Sequence, residues 1–380
     1  MSIDLSRVTG ISDSRGVITE IKDSLGRVIW AVSGGKVILE VEKITSDTYA
    51  GETTYTGEQF ILLDIYPKTN GTVTVTYGGL TKTITDTSGA AEPNAQKVFF
   101  GTFNGVSDSV TTPESGKLTI DGDCVAFGCG QYTKTSKDTI SQYCLCITAI
   151  NSFGKTTRIP DHAFGGLDGC EKINTVKIPG NIKEIGSYAF GGCENIESVI
   201  LGNGVLQIKS LAFYQCLALT NIQIPASVNS IEEEVFLGVQ KGEGIVIDSE
   251  NEHYKMDGNC IIEKNTNSLR DGFSDSIIPN YVQSIGRRAF FATNAESVTI
   301  PSGVTFIGNE AFSAMKYLTS VTILAITPPV LSVDGYSDGI TRVFDCTDNP
   351  YLIIVPKGYG NAYKTADQWS KYEDRITEAT

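Results

Sequence analysis

Histidine is almost absent from this sequence, with two residues in a chain of 380, His162 and His253. Two histidines leave almost no candidates for a catalytic triad with a histidine base or for a zinc site with several histidine ligands. Gly-rich phosphate loops of the G-x-x-x-x-G-K type and calcium loops of the EF-hand type are missing as well. We predict that the chain is not an enzyme and has no catalytic residue, no cofactor and no bound metal ion.

Positive charge is in short supply, because 30 Lys and Arg residues stand against 44 Asp and Glu residues and the formal net charge is −14. No run rich in Lys and Arg offers a local positive patch, so we exclude nucleic acid as a partner. No apolar stretch reaches the roughly 18 residues that a membrane-spanning helix needs. Asp4, Arg7 and Asp13 lie where a secretory signal would be apolar, so we expect synthesis without export and no membrane insertion.

The nine cysteines all follow residue 120, and an odd number in a chain without an export signal favours reduced thiols. Cys170, Cys193 and Cys216 recur at equal intervals and are predicted to be small buried spacers. Four others could bind zinc as thiolates, although their spacing differs from the usual C-x-x-C pairs: Cys124, Cys129, Cys144 and Cys146. The simpler interpretation places the last two on one buried face of a strand.

An internal repeat is the strongest feature of the sequence. Three copies begin at Ile185, Ile208 and Ile231, so the two intervals are equal. Further copies begin at Ile159, Ile285 and Ile307. Each copy carries Ile, then Ala-Phe or Val-Phe four and five positions on, then a strand and a Pro or Gly turn. Such a unit cannot bury its apolar face alone, so the repeat predicts a solenoid of stacked coils.

Within each copy, the period-two alternation of the strand separates inward from outward side chains. The inward set is predicted to form a continuous core with one Phe per coil: Val176, Ile178, Val199, Leu201, Ile222, Ile224, Val298, Ile300, Val321 and Ile323, with Phe164, Phe190, Phe213, Phe236, Phe290 and Phe312. The outward set is the candidate ligand-binding ladder: Thr175, Lys177, Ser198, Asn221, Gln223, Ser297, Thr299, Ser320 and Thr322. A merely solvated sheet surface is the alternative, since exposed strands favour Thr and Ser anyway.

Two places depart from the regular repeat. Between Ile231 and Ile285 the interval is more than twice the regular one, and short strands on either side of Asp257-Gly258 predict a coil that carries a hairpin. His162 occupies the position within its copy that Tyr188 and Leu211 occupy in theirs. We therefore expect a structural role for this histidine.

The chain repeats a pattern of Ala-Phe, a strand, Ile-Pro and Ile-Gly about every 23 residues. This pattern resembles the BspA-like leucine-rich repeat family. The resemblance implies a leucine-rich-repeat solenoid over residues 151–324 that binds partners and does not catalyse. Residues 325–380 resemble that family's C-terminal cap, with a Thr-Pro-Pro turn, an Ile-Val-Pro strand and a short helix from Tyr363 to Tyr372. A polar cap protects the end of an open solenoid from association.

The residues before the solenoid also predict β-structure, so the expected fold class is mainly β. Residues 36–88 alternate apolar and polar side chains between Gly and Asn-Gly turns, which predicts an Ig-like β-sandwich module. Residues 97–150 form a second β-rich stretch whose last strand leads into the first coil, and we expect it to cap the N-terminal end of the solenoid. The linker between them, residues 88–96, is the predicted domain boundary.

Residues 1–35 read as two short strands around a Leu-Gly turn, and such a strip cannot form a core of its own. Its D-x-x-G-R-V-I-W segment, which ends at Trp30, resembles N-terminal strips that precede the variable domains of virion proteins in bacteriophages of gut bacteria. The resemblance implies an anchoring strip that docks on other virion proteins.

Two functions remain open at this point. The first is a non-enzymatic bacteriophage virion appendage, a head or tail fibre or decoration protein assembled in the host cytoplasm, whose solenoid binds a bacterial surface glycan or protein. The second is a BspA-like adhesin on the bacterial cell surface that binds host matrix proteins. Neutral Thr, Ser, Asn and Gln side chains suit a glycan or protein, whereas the acidic total disfavours anionic polymers. Either function allows a homo-oligomer.

Overall fold

The computed structural model divides the chain into two compact units. Unit 1 comprises Met1–Gly130 and Cys146–Thr156, and unit 2 comprises Gln131–Leu145 and Thr157–Thr380. The structure describes residues 9–12, 18–22, 28–31, 36–42, 60–88, 95–103, 106–107, 115–129, 131–132, 141–142, 147–165, 170, 172–333, 338–345 and 350–380. In these ranges, no helix has the length and apolar character needed to cross a bilayer.

All the strands before the first coil pair in the antiparallel direction. They are β1 (Thr9–Ser12), β2 (Ile18–Lys22), β3 (Val28–Ala31), β4 (Val37–Glu42), β5 (Phe60–Pro67), β6 (Thr72–Tyr77), β7 (Leu80–Thr85), β8 (Gln96–Phe103), β9 (Val106–Ser107), β10 (Ser115–Gly122), β11 (Cys124–Cys129), β12 (Gln131–Tyr132), β13 (Ser141–Gln142) and β14 (Ile147–Phe153). Strands β12 and β13 pair only with each other and belong to unit 2.

The core of unit 1 lies between two sheets, of order β14-β4-β10-β6-β7 and β11-β5-β8-β9. Strand β6 shows why the core lies there. Its Val73, Val75 and Tyr77 are buried, whereas the threonines between them are not. The ring of Tyr77 meets that of Phe100 on the other sheet edge-on at 5.7 Å between centroids. Aromatic and β-branched side chains thus join the two buried faces.

The predicted boundary at residues 88–96 is wrong, and so is the division of this region into two separate domains. Strand β4, from the first stretch, pairs with β10 and β14 from the second. Strand β5 likewise pairs with β8 and β11. The two stretches are interleaved in shared sheets, a long-range pairing that local alternation of apolar residues does not reveal. The capping of the solenoid by residues 97–150 stays a prediction.

The two short strands predicted within residues 1–35 are confirmed as the antiparallel pair β2 and β3, and β1 adds a third strand. The turn between β2 and β3, and the side chain of Trp30, lie outside the described residues. The docking role of this strip therefore stays a prediction.

In the first half of unit 2, each coil contributes one short and one longer strand, and these build two separate parallel sheets. In the first half these strands are β15 (Arg158–Ile159), β16 (Thr175–Ile178), β17 (Glu184–Ile185), β18 (Ser198–Leu201), β19 (Gln207–Ile208), β20 (Asn221–Ile224), β21 (Ser230–Ile231) and β22 (Ile245–Ile247). We call β15-β17-β19-β21 the short-strand sheet and β16-β18-β20-β22 the long-strand sheet. Because neighbours pair without a shift, Val176 lies beside Val199, which in turn lies beside Ile222. The predicted solenoid is confirmed.

The second half continues this pattern after a hairpin. Its strands are β23 (Tyr254–Asp257), β24 (Cys260–Glu263), β25 (Ser268–Asp271), β26 (Ser284–Ile285), β27 (Ser297–Ile300), β28 (Phe306–Ile307), β29 (Ser320–Ile323), β30 (Val330–Leu331), β31 (Leu352–Val355) and β32 (Ile376–Glu378). A second long-strand sheet has the order β27-β29-β31-β32, and the short strands join the hairpin in the order β23-β24-β25-β26-β28-β30.

The predicted core is confirmed, since all ten inward strand residues and all six phenylalanines are buried. The phenylalanine rings stack from coil to coil, with Phe190 and Phe213 at 5.6 Å between centroids and almost parallel. The backbone N–H of Phe190 also donates to the carbonyl oxygen of Ala212 at 2.8 Å. The Ala-Phe step therefore continues both the apolar column and the hydrogen-bond ladder.

The repeated cysteines are the predicted buried spacers. The thiol of Cys193 donates to the carbonyl oxygen of Phe164, and that of Cys216 to the carbonyl oxygen of Phe190. Burial raises the pKa of the Cys216 thiol well above its usual range. These groups remain neutral thiols that fill the space under the phenylalanine column.

The solenoid is interrupted where the repeat interval grows, and we call the contacts between residues 231–247 and residues 254–288 the joint. The predicted hairpin is confirmed there, with Gly258 and Asn259 at positive φ in its two-residue loop. Strand β22 does not pair with β27 across this gap. Polar side chains connect the two halves instead: the guanidinium of Arg270 and the hydroxyl of Tyr254 both bind the backbone of Ile231.

The C-terminal residues cover the last phenylalanine of the column. Helix α1 (Gly360–Thr365) and a 3-10 helix (Trp369–Arg375) place buried Trp369 and Tyr372 against Phe344, with centroids 5.6 and 5.4 Å away. The single helix predicted from Tyr363 to Tyr372 is wrong, because Ala366 is extended and Gln368 is left-handed. This break lets the Trp369 indole donate to the carbonyl oxygen of Pro329 at 2.7 Å.

We predict that Phe213→Ala lowers the free energy of unfolding of the solenoid by about 3 to 5 kcal/mol, because it opens a cavity in the column. Urea unfolding checks this in a Trp30→Phe background, where Trp369 is the remaining tryptophan reporter. Leu217→Ala is the control, since Leu217 is 50% exposed and should change the free energy by less than about 1 kcal/mol. Equal losses for both variants would contradict the stacked column.

Candidate functional site

The outward side chains of the long strands form one exposed face on each long-strand sheet, and together we call them the ladder face. On the first sheet, parallel pairing without a shift places Thr175, Ser198 and Asn221 side by side. Lys177 and Gln223 lie in a second row on either side of Ile200. Four of the five predicted site residues on this sheet are exposed, and Ser198 is half-buried.

The other four predicted residues lie on the second long-strand sheet. Ser297 is paired with Ser320, and Thr299 with Thr322. Their hydroxyl groups therefore form a compact two-by-two array, with the pair from β27 exposed and the pair from β29 half-buried. The structure thus groups the nine predicted residues into two patches on separate sheets. That they bind a ligand stays a prediction.

The ladder face also contains apolar residues that sequence reasoning left out of the candidate site. Val246 lies beside Gln223 and is 53% exposed, and Leu352 lies beside Ser320 and is 51% exposed. One further step of the regular repeat from Gln223 leads to Val246, so the repeat could have located it. Leu352 could not be found in this way, because its separation from Ser320 is longer than the regular interval.

The charge near the ladder face is mostly negative. Glu197 and Glu296 are exposed at the residues that directly precede β18 and β27. Their backbone carbonyl oxygens accept the hydroxyl protons of Thr220 and Thr319, the equivalent residues one coil later. Lys177 is the one charged member of the nine predicted residues. The face can therefore offer hydroxyl and amide hydrogen bonds with little charge of its own.

His162 and Cys124 are two side chains that could have carried acid–base or metal chemistry, and both make structural contacts. The His162 ring stacks on Tyr188 at 5.0 Å, and both residues have left-handed backbones, as does Leu211. Cys124 is buried, and burial raises its thiol pKa to about 12. Cys144 and Cys146 lie outside the described residues, so zinc binding by the cluster stays open. Within the described ranges, no three His, Cys, Asp or Glu side chains are grouped to hold a metal ion.

A second polar cluster lies at the joint, away from the ladder face. Glu234 is 5% exposed and forms ion pairs with Arg287 at 2.8 Å and Arg288 at 3.2 Å. Arg288 also donates to Glu310 at 2.7 Å. Glu234, Arg288 and Glu310 share the left-handed coil position of His162, so the repeat itself brings their side chains into one column. The sequence analysis did not identify this pairing.

One family model matches the solenoid. It is described as a BspA type leucine rich repeat region of six copies, and it matches residues 134–260 and 261–328. These two matches together include the hairpin coil and the six copies that begin between Ile159 and Ile307. No curated protein matches the sequence of the chain.

Several solved structures are similar to parts of the chain. The pneumococcal vaccine antigen PcpA is 13% identical, with 60% of this chain and 71% of that chain covered and a TM-score of 0.39. A leucine rich cell surface protein from Faecalibacterium prausnitzii is 22% identical, with 60% and 70% covered and a TM-score of 0.42. A leucine-rich repeat protein from Bacteroides ovatus is 18% identical, with 66% and 74% covered and a TM-score of 0.30.

We predict that Glu234→Ala lowers the free energy of unfolding of the solenoid by about 2 to 4 kcal/mol, because it leaves two guanidinium groups short of their buried partner. The matched control is Glu233→Ala, one residue earlier and exposed, which should change the free energy by less than about 0.5 kcal/mol. Urea unfolding followed by Trp369 fluorescence in the Trp30→Phe background measures both. If the two variants lose the same stability, the ion pairs at Glu234 do not stabilise the joint.

Proposed function

Because the chain belongs to the family of proteins with a BspA type leucine rich repeat region, we propose that it is a non-enzymatic binding protein whose ladder face holds the partner. The observation that carries this proposal is the outward face of the long strands. Parallel pairing without a shift repeats the same exposed hydroxyl and amide positions from coil to coil. A stacked sheet keeps such positions fixed before a partner arrives, which lowers the entropic cost of binding.

The chemistry of the ladder face favours a partner that is recognised by hydrogen bonds and a few apolar contacts. Asn221 and Gln223 offer amides, and Thr299 offers a hydroxyl, all of them exposed. Val246 and Leu352 add exposed apolar surface next to these polar groups. A glycan or a protein segment presents both kinds of group, so a bacterial cell-surface glycan or protein is the proposed ligand. The net charge of −14 disfavours anionic polymers.

The biological setting that we propose first is a bacteriophage virion appendage. The resemblance of residues 1–35 to N-terminal strips of virion proteins supports it, and these residues would dock on other virion proteins. The described part of the strip is the three-stranded sheet β1-β2-β3. The solenoid would then face the bacterial surface, and the protein would be located in the virion.

A bacterial surface adhesin is the second candidate setting, and the family itself favours it. The same ladder face would then bind host matrix proteins, and the protein would be located on the bacterial cell surface. In either setting, we propose that residues 36–88 contribute to an Ig-like module within unit 1. Two antiparallel sheets joined through Tyr77 and Phe100 support this assignment.

Binding of the fluorescently labelled full chain to intact gut bacteria, measured by flow cytometry next to immobilised matrix proteins, tests the function and the setting together. The variants Gln223→Arg and Thr299→Arg place a long cation on each half of the ladder face. Each should weaken binding by about tenfold or more, because a bulky charge at a contact centre costs more than about 1.4 kcal/mol. Binding to bacteria supports the virion setting, and binding to matrix proteins supports the adhesin.

Gln207→Arg and Gln283→Arg are the matched controls, because they introduce the same charge at exposed positions on the side of the short strands. Both controls should bind like the unaltered chain. Full binding by a folded Gln223→Arg, Thr299→Arg double variant would contradict the ladder face as the binding site. Binding to none of the surfaces by any form would contradict the proposed function.

A further inference from the structure

Asp271 is a buried acid at the joint whose carboxyl group is only half satisfied. It ends β25 and is 4% exposed. The backbone N–H of Phe236, from the preceding coil, is the polar backbone group that acts on this carboxyl and lowers its pKa. Its Oδ2 atom is buried and has no hydrogen-bond partner in the described part of the chain. A carboxylate in this position would hold an uncompensated charge away from water, which is costly.

The nearby cations are held by other groups. Arg270 precedes Asp271 on the same strand, but its Nη2 atom donates to the carbonyl oxygen of Ile231 at 2.9 Å. Arg287 and Arg288 pair with Glu234 and with Glu310. No ion pair to Asp271 is formed among the described residues.

The balance of charge in the cluster favours a neutral Asp271. The charged groups that act on its carboxyl are Arg270 on its own strand, and Glu233 and Glu234 on the turn of the preceding coil. The three guanidinium groups of Arg270, Arg287 and Arg288 balance the carboxylates of Glu233, Glu234 and Glu310. An ionised Asp271 would add one unmatched negative charge close to Glu234.

The joint is also where unsatisfied polar atoms concentrate. Three buried side-chain atoms of the joint lack a hydrogen-bond partner among the described residues: Arg270 Nε, Asp271 Oδ2 and Arg287 Nε. Regular coils are closed by apolar stacking and by paired strands, whereas the joint adds charged side chains in a confined space to the contact of the Phe236 and Phe273 rings. Its stability therefore depends on the protonation of its members.

We propose that the joint is a pH-sensitive contact, which is tight while Asp271 carries a proton and loosens when this side chain becomes a carboxylate. The two halves of the ladder face lie on the two long-strand sheets on either side of the joint. Loosening would therefore separate two binding patches that the coils otherwise hold in a fixed relation. The inference concerns the joint alone and stands whether or not the ladder face binds a partner.

The direction of the pH effect follows from linkage. Burial raises the pKa of Asp271 from 3.8 to about 7, so the folded chain holds a proton that the unfolded chain has already released. The stabilisation is complete below about pH 4 and is lost as the pH rises through 7. The neutral, isosteric variant Asp271→Asn keeps no such proton. Its stability should lack this component of the pH dependence.

Thermal unfolding of the full chain and of Asp271→Asn between pH 5 and pH 8 tests the proposal. As the pH rises from 5 to 8, the unfolding midpoint temperature of the unaltered chain should fall by about 5 °C or more relative to that of the variant. Asp248→Asn, which removes an exposed acid from the neighbouring coil, is the control and should follow the unaltered chain. Parallel curves for the unaltered chain and Asp271→Asn would overturn the proposal.

Hydrogen exchange of the unaltered chain gives a second readout that does not depend on the folding of a variant. After correction for chemical exchange, the amide of Phe236 should lose protection by about tenfold or more between pH 5 and pH 8. The amide of Phe190, which donates to a backbone carbonyl within a regular stack, should keep its protection. Equal changes at both amides would contradict a pH-sensitive joint.

Discussion

The stacking of successive coils in parallel, without a shift, is the constraint on which the rest of the solenoid depends. A single coil cannot bury its Ile, Ala and Phe side chains against itself, so each coil completes the core of its neighbours. Two contacts between neighbouring coils show this dependence. The rings of Phe190 and Phe213 stack almost in parallel, and the backbone N–H of Phe190 donates to the carbonyl oxygen of Ala212. Fixed register then determines which side chains face outward and in what order.

The ladder face and the joint are two consequences of this register. Where the regular repeat interval is kept, outward residues such as Ser198 and Asn221 align and offer a rigid polar surface. Where the interval is lost, β22 has no parallel neighbour in the next coil, and charged groups such as Glu234 and Arg288 hold the halves together. The proposed binding surface and the joint thus arise from the same repeat.

The sequence predicted the parts of the fold that local periodicity determines. The inward residues, the cysteine spacers and the hairpin at Asp257-Gly258 all follow from patterns within one or two coils. The interleaved sheets of unit 1 could not be predicted in this way, because the pairing of β4 with β14 joins strands that are far apart in the sequence. The buried pairing of Glu234 with Arg288 was missed for the same reason, since these two residues belong to different halves of the solenoid. The alternation of inward and outward residues predicted the polar members of the ladder face, but it missed Val246 and Leu352.

The central claim is that a partner lies on the long-strand side of the solenoid and not on the short-strand side. A photo-activated cross-linking residue at Gln223, compared with the same residue at Gln207, tests this on the surface to which the full chain binds. Both positions are exposed and carry the same native side chain, so they differ only in the face that they occupy. The account predicts a covalent adduct from position 223 and none from position 207. An adduct from position 207 alone would contradict it.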